Sequence, residues 1–168
     1  MKIKKTPICI LLFVFSSFIF AQDKSIPTSG LVTLDGTVVT TDEISNNGKP
    51  LVMIFWKSND RESCEQLLLI NDAYQDIMQF QGIKVIAICI DCLGTTQHIK
   101  PFIYGHDLAI EVYIDQNGDF KRSMNILHSP STILFDHQMN INCQFAGYCS
   151  NMEDLLCTKI EQCLANID

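Results

Sequence analysis

Long apolar runs, excess basic charge and clustered metal ligands are all missing from this chain. Its longest apolar run, from Ile8 to Phe20 in "MKIKKTPICILLFVFSSFIFAQ", spans roughly 13 residues, short of the roughly 17 to 25 that a membrane-crossing helix requires. Lysines before that run and Ala21 after it give the layout of a secretory signal. Residues 1–21 are therefore expected to be removed and residues 22–168 exported, to the periplasm or the exterior, with no stable membrane insertion afterwards. Lys and Arg together number 12 against 19 Asp and Glu, so the formal charge is −7, and loss of Lys2, Lys4 and Lys5 with an acid-free leader takes it to −10. Phosphate backbones repel such a chain, which weighs against nucleic acid as a partner. The four histidines are scattered, and no two close Cys/His pairs have the spacing of a structural zinc site, so neither metal nor cofactor is implied. Internal repeats and low-complexity tracts are absent too. About 147 residues then remain for one domain with a real core.

Cysteine, by contrast, is plentiful. Of eight, Cys9 lies in the leader, leaving Cys64, Cys89, Cys92, Cys143, Cys149, Cys157 and Cys163. In an oxidising compartment disulfides persist, yet an odd count leaves at least one thiol free or joined to another molecule. Cys143, Cys149, Cys157 and Cys163 are assigned to packing or stapling of the C-terminal hairpin and helix. Cys157 and Cys163 sit about 9 Å apart along one helix axis and do not pair with each other.

Taken in order, "LVTLDGTVVT" places two β-prone runs around Asp35-Gly36, a dipeptide suited to a tight hairpin turn. Leu51–Trp56 is apolar without alternation, the pattern of a strand covered on both faces. A polar loop follows, and then Leu67, Ile70 and Tyr74 recur at helical spacing in a helix expected from about Asp60 to Gln79, stopped by Gly82. "IKVIAICID" is a second buried strand, which makes a right-handed parallel strand–helix–strand unit. A helix to Tyr104 follows, with Pro101 inside it, then the short strand "IEVYI" and a brief helical piece at Phe120–Met124. Ile133–Phe135 and "INCQFAG" form a hairpin, and a terminal helix carries Leu156, Ile160 and Cys163 on one side. The expected class is α/β: a central mixed sheet with an N-terminal β-hairpin, an antiparallel C-terminal strand pair and helices on both faces.

The hairpin "GLVTLDGTVV", the strand "GKPLVMIFW", the helix after it, "IKVIAICID", "VYIDQNGDFKRSMNI" and "SPSTILFD" with its proline together resemble the TlpA/ResA-like thioredoxin-fold family. That family comprises exported thiol–disulfide oxidoreductases related to AhpC/TSA redoxins, and the likeness covers nearly all of residues 22–168. It implies a thioredoxin-like sandwich and protein or peptide thiols and disulfides as partners. It also implies a cis bond at Ser129-Pro130, with Trp56, His128, Ser129 and Pro130 around a cleft for an extended polypeptide.

Family members carry a Cys-x-x-Cys at the start of the helix after the Phe-Trp strand, where unpaired N–H groups and the helix dipole stabilise a thiolate. Here that loop reads "WKSNDRESCEQL". Aligned without a gap, the two cysteine positions fall on Asp60 and Ser63, and a one-residue insertion puts Cys64 at the second and Arg61 at the first. A serine hydroxyl cannot resolve a disulfide and an aspartate cannot form one, so the two-thiol cycle is not available.

Cys64 is the remaining candidate for thiol chemistry, with Cys92, at the end of a parallel strand, as its candidate resolving partner. Arg61 is a candidate for lowering the Cys64 pKa electrostatically. The Cys89–Cys92 spacing also spells Cys-x-x-Cys, but residues three apart on an extended strand face opposite sides near 10 Å apart and do not bridge. A peroxidatic role for Cys64 is disfavoured by Lys57 and Arg61 at the positions where peroxiredoxins carry the Pro and Thr that position peroxide. The sequence thus offers a single-cysteine oxidoreductase acting through Cys64, with a redox-inactive polypeptide-binding module as the alternative.

Overall fold

A computed structural model describes residues 26–91 and 96–165. The leader and Cys92 lie outside the described residues.

Two strands, β1 (Gly30–Thr33) and β2 (Val38–Thr40), form the opening hairpin, with Val32 opposite Val38. Gly36 closes its turn at φ +97°, where a side chain would be strained. The third strand, β3 (Leu51–Trp56), is buried along its whole length. It is followed by α1 (Arg61–Ala73), β4 (Lys84–Cys89), α2 (Ile99–Gly105), β5 (Glu111–Ile114), α3 (Asp119–Ser123), β6 (Ser131–Phe135), β7 (Ile141–Ala146) and α4 (Met152–Leu164). One seven-stranded sheet results, in the order β2-β1-β5-β4-β3-β6-β7. β3, β4 and β5 run parallel, while the β1–β2, β1–β5, β3–β6 and β6–β7 pairs are antiparallel. This is the expected mixed sheet of a thioredoxin-like α/β fold, with its hairpin at one end and its antiparallel pair at the other.

Two cores flank the sheet. Val52, Ile54 and Trp56 of β3 point to one face, where they join Leu67 and Ile70 of α1, Ile99 and Ile103 of α2, and Leu156 and Ile160 of α4. Leu51, Met53 and Phe55 point to the other, against Phe120 of α3, Met124 and Ile126. The Phe55 and Phe120 rings lie 5.4 Å apart, centre to centre.

Three boundaries differ from expectation. The helix after β3 is α-helical only to Ala73 and continues as a wider π-type turn over Tyr74–Met78, in which the Gln79 N–H donates to the Tyr74 carbonyl at 2.9 Å. Pro101 is the third residue of α2, inside the first turn, where a missing N–H leaves no intrahelical bond unmade. β6 begins at Ser131, directly after Pro130, because Ser131 already pairs with Phe55 and Ala146.

Candidate functional site

The site lies where the carboxyl end of β3 meets the amino end of α1, facing the turn that enters β6. Trp56 ends β3, Lys57–Asn59 make the loop, and Asp60 caps α1 in extended conformation at φ −116°, ψ 119°. Ser63, in the first turn, is fully buried. Its hydroxyl donates to Asp60 Oδ2 at 2.6 Å, and its Oγ lies 2.6 Å from Ser129 Oγ. One hydroxyl carries one proton, so with Ser63 donating to Asp60, Ser129 donates to Ser63. The chain Ser129→Ser63→Asp60 thereby joins the start of α1 to the Ser129-Pro130 peptide bond, which is cis.

The loop itself is held from beneath. Asp91, just past β4, is 3% exposed and accepts from the backbone N–H of Ser58 at 3.0 Å and also from its hydroxyl. The pairing continues the sheet, since the Ile90 N–H donates to the Trp56 carbonyl at 2.9 Å. With the loop fixed, its carbonyls have set directions, and the half-buried Cys64 thiol points at two of them, Ser58 O at 3.5 Å and Lys57 O at 3.6 Å. Burial pushes the Cys64 pKa up, and the carboxylates of Asp60, Asp91 and Glu65 add to the rise. The helix start would favour a thiolate, but lost solvent and three acids outweigh it here.

Several sequence expectations are corrected by this geometry. Arg61 does not activate Cys64: it projects into solvent and pairs with Glu65 at 2.7 Å, so its charge is spent one turn along the exposed side of α1. Trp56 does not line a cleft. It is fully buried among the α1, α2 and α4 side chains, with its ring 5.3 Å from that of Phe102, because its place in the β3 alternation turns it inward with Val52 and Ile54. Pro130 is buried, Ser129 half-buried, and His128 exposed beside Leu127, which is 83% exposed. Asp60, Ser63, Cys64 and Ser129 are therefore gathered in one place, with His128 at its rim. Cys89 faces the core from β4, in register with Trp56, and its thiol is pushed up to about 12 by burial.

Two contacts were invisible in the sequence. The Ser58–Asp91 clamp joins residues 33 apart, and its only trace is an acid placed just after an apolar strand. Gln66, fully buried on α1, accepts the Cys149 N–H at 2.7 Å and so ties the turn after β7 to the same helix. Among the described residues, no three His, Cys, Asp or Glu side chains converge as metal ligands, and no helix is long and apolar enough to cross a membrane.

The AhpC/TSA family profile matches residues 22–144. The chain belongs to the AhpC/TSA family. Among solved structures, this AhpC/TSA member is similar to an uncharacterized thioredoxin-like protein from Porphyromonas gingivalis, with 31% identity, 83% of this chain and 91% of the other covered, and a TM-score of 0.72. A proposed thiol:disulfide interchange protein DsbE from Chlorobium tepidum shares 20% identity over 87% of this chain and 97% of its own, with a TM-score of 0.71. StoA from Bacillus subtilis shares 16% over 81% and 98%, with a TM-score of 0.63, and like the second it shows the thioredoxin-like fold alone. Comparison with curated proteins gives no match.

Proposed function

We propose that this AhpC/TSA member is an exported thioredoxin-like redox protein whose two-thiol motif has been replaced, so that its thiol–disulfide chemistry is confined to Cys64. The observation that carries this reading is the opening of α1 with Asp60 and Ser63, whose oxygens are already hydrogen-bonded to each other and to Ser129. Neither residue can take part in sulfur exchange. Cys64 can form a mixed disulfide with a protein or peptide thiol, but slowly, since its proton is held by burial and three carboxylates. No second thiol stands one turn along α1, so release falls to an external thiol or to Cys92. The leader-like residues 1–21 and the cysteine-rich remainder support export and an oxidising compartment.

A second reading has its own support. The Ser63–Ser129 bond fixes the wall beside the cis-proline without any reactive group, and exposed Leu127 and His128 flank it. On this reading the protein holds an extended polypeptide and performs no chemistry. Reduction of insulin disulfides and consumption of peroxide, measured for the wild type and for Cys64→Ser, separate the two. Activity lost on substitution supports the oxidoreductase, and a wild type without either activity supports the binding module.

A further inference from the structure

The acid that follows β4 is placed by strand register. Cys89 is level with Trp56, and the Ile90 N–H donates to the Trp56 carbonyl, so Asp91 comes up beside the loop that leads into α1. There its buried carboxylate takes two donors from one residue. The Ser58 N–H reaches Oδ1 at 3.0 Å and Oδ2 at 3.3 Å, and the Ser58 hydroxyl also donates to Oδ2. Bonds to an ionised acceptor hold a peptide unit more firmly than neutral ones. The Lys57 carbonyl belongs to the same trans peptide unit as the Ser58 N–H and points the opposite way. Anchoring that N–H on Asp91 therefore aims the carbonyl away from Asp91, and it is found on the Cys64 side, accepting from the thiol at 3.6 Å. The Ser58 carbonyl, in the next unit, accepts from the same thiol at 3.5 Å. Bonds of this kind favour the protonated form, since a thiolate in that place faces two carbonyl oxygens.

We infer that Asp91 is a positioning residue for Cys64: through Ser58 it aims the Lys57 and Ser58 carbonyls at the thiol and holds it at rest with its proton on. This effect passes through the loop and is separate from the charge of Asp91. It deepens the oxidoreductase reading and rests on it, because Cys64 is the thiol that acts there. The charged groups facing Cys64 are Asp60 and Glu65 at the start of α1 and Asp91 past β4. Cys89, which faces Asp91 from β4, keeps its proton to about 12 and so adds no charge.

The test is the pH profile of iodoacetamide alkylation at Cys64 in the native full chain, read by mass spectrometry of the tryptic fragment 62–84, in which Cys64 is the only cysteine. Asp91→Asn removes the charge but keeps an oxygen for the Ser58 N–H, Asp91→Ala removes both, and Ser58→Ala removes the hydroxyl bond and no charge. Easier access alone speeds alkylation equally at every pH, whereas release of the carbonyls moves the midpoint. The expected midpoint for Asp91→Ala lies below that for Asp91→Asn, with a rate at pH 7 several-fold higher, and that for Ser58→Ala lies below the wild type. Coincident midpoints for Asp91→Ala and Asp91→Asn overturn the inference. If Asp91→Ala does not fold, Ser58→Ala decides, and a midpoint equal to the wild type overturns it. Insulin plays no part in this readout, so failure of the oxidoreductase reading shows separately, as a wild type inactive on insulin.

Discussion

Ser63 Oγ and Ser129 Oγ stand 2.6 Å apart although 66 residues separate them, and Ser63 is also bonded to Asp60. In this thioredoxin-like fold the start of α1 is thus fastened to the residue before the cis-proline by hydroxyl groups. Ser63→Ala removes both bonds and leaves the Asp60 carboxylate and the Ser129 hydroxyl short of a partner. The expected loss is about 1–3 kcal/mol of stability, read as a lowered urea midpoint with an unchanged slope.

Cys64 should behave as a slow nucleophile. Burial first, and then Asp60, Asp91 and Glu65, raise its pKa above the ordinary 9.0. Alkylation of Cys64 by iodoacetamide at pH 7 is expected to run several-fold slower than that of an unhindered cysteine and to climb until the pH passes 9. Asp60→Asn, which keeps an oxygen for Ser63 but removes one charge, should speed it. A rate at pH 7 matching a free thiol would contradict this electrostatic account.

Alkaline pH should destabilise the fold. Cys89 keeps its proton to about 12 in the folded chain against 9.0 ordinarily, and Tyr113 to about 12 against 10.0, both mainly through burial. Raised folded values mean that the stabilisation is complete below about pH 9 and is lost as pH rises towards 12. Melting temperatures should hold up to about pH 9 and fall from there to pH 11, and Cys89→Ala should flatten the decline.

Phe120 is the anchor of the second core, fully buried and packed on Phe55. Phe120→Ala should cost about 3–5 kcal/mol, measured by urea unfolding. The change should leave the Ser63–Ser129 side of β3 in place.

Much of this architecture was legible because its signals are local. Asp35-Gly36 dictates a hairpin, the β-branched run at Lys84–Cys89 dictates a strand, and the Leu67, Ile70 spacing dictates a helix face. The misreading of Trp56 has the same origin as the correct reading of its strand. A run buried on both sides has no alternation, so nothing in "LVMIFW" tells which residues face α1 and which face α3. The π-type turn at Tyr74–Met78 leaves no trace in side-chain spacing alone. Asp60, Ser63 and Ser129 were placed by resemblance, but the bonds joining them, like the Asp91 clamp on Ser58, exist only once distant segments meet.

The central claim is that the scaffold survives while the dithiol has been replaced, and insulin reduction by three proteins tests it most directly. The wild type should be slow, Cys64→Ser inactive, and Asp60→Cys/Ser63→Cys, which restores a Cys-x-x-Cys at the start of α1, faster than the wild type by at least about tenfold, the equivalent of roughly 1.4 kcal/mol in the barrier. Wild-type turnover equal to that of the double variant and untouched by Cys64→Ser would contradict it.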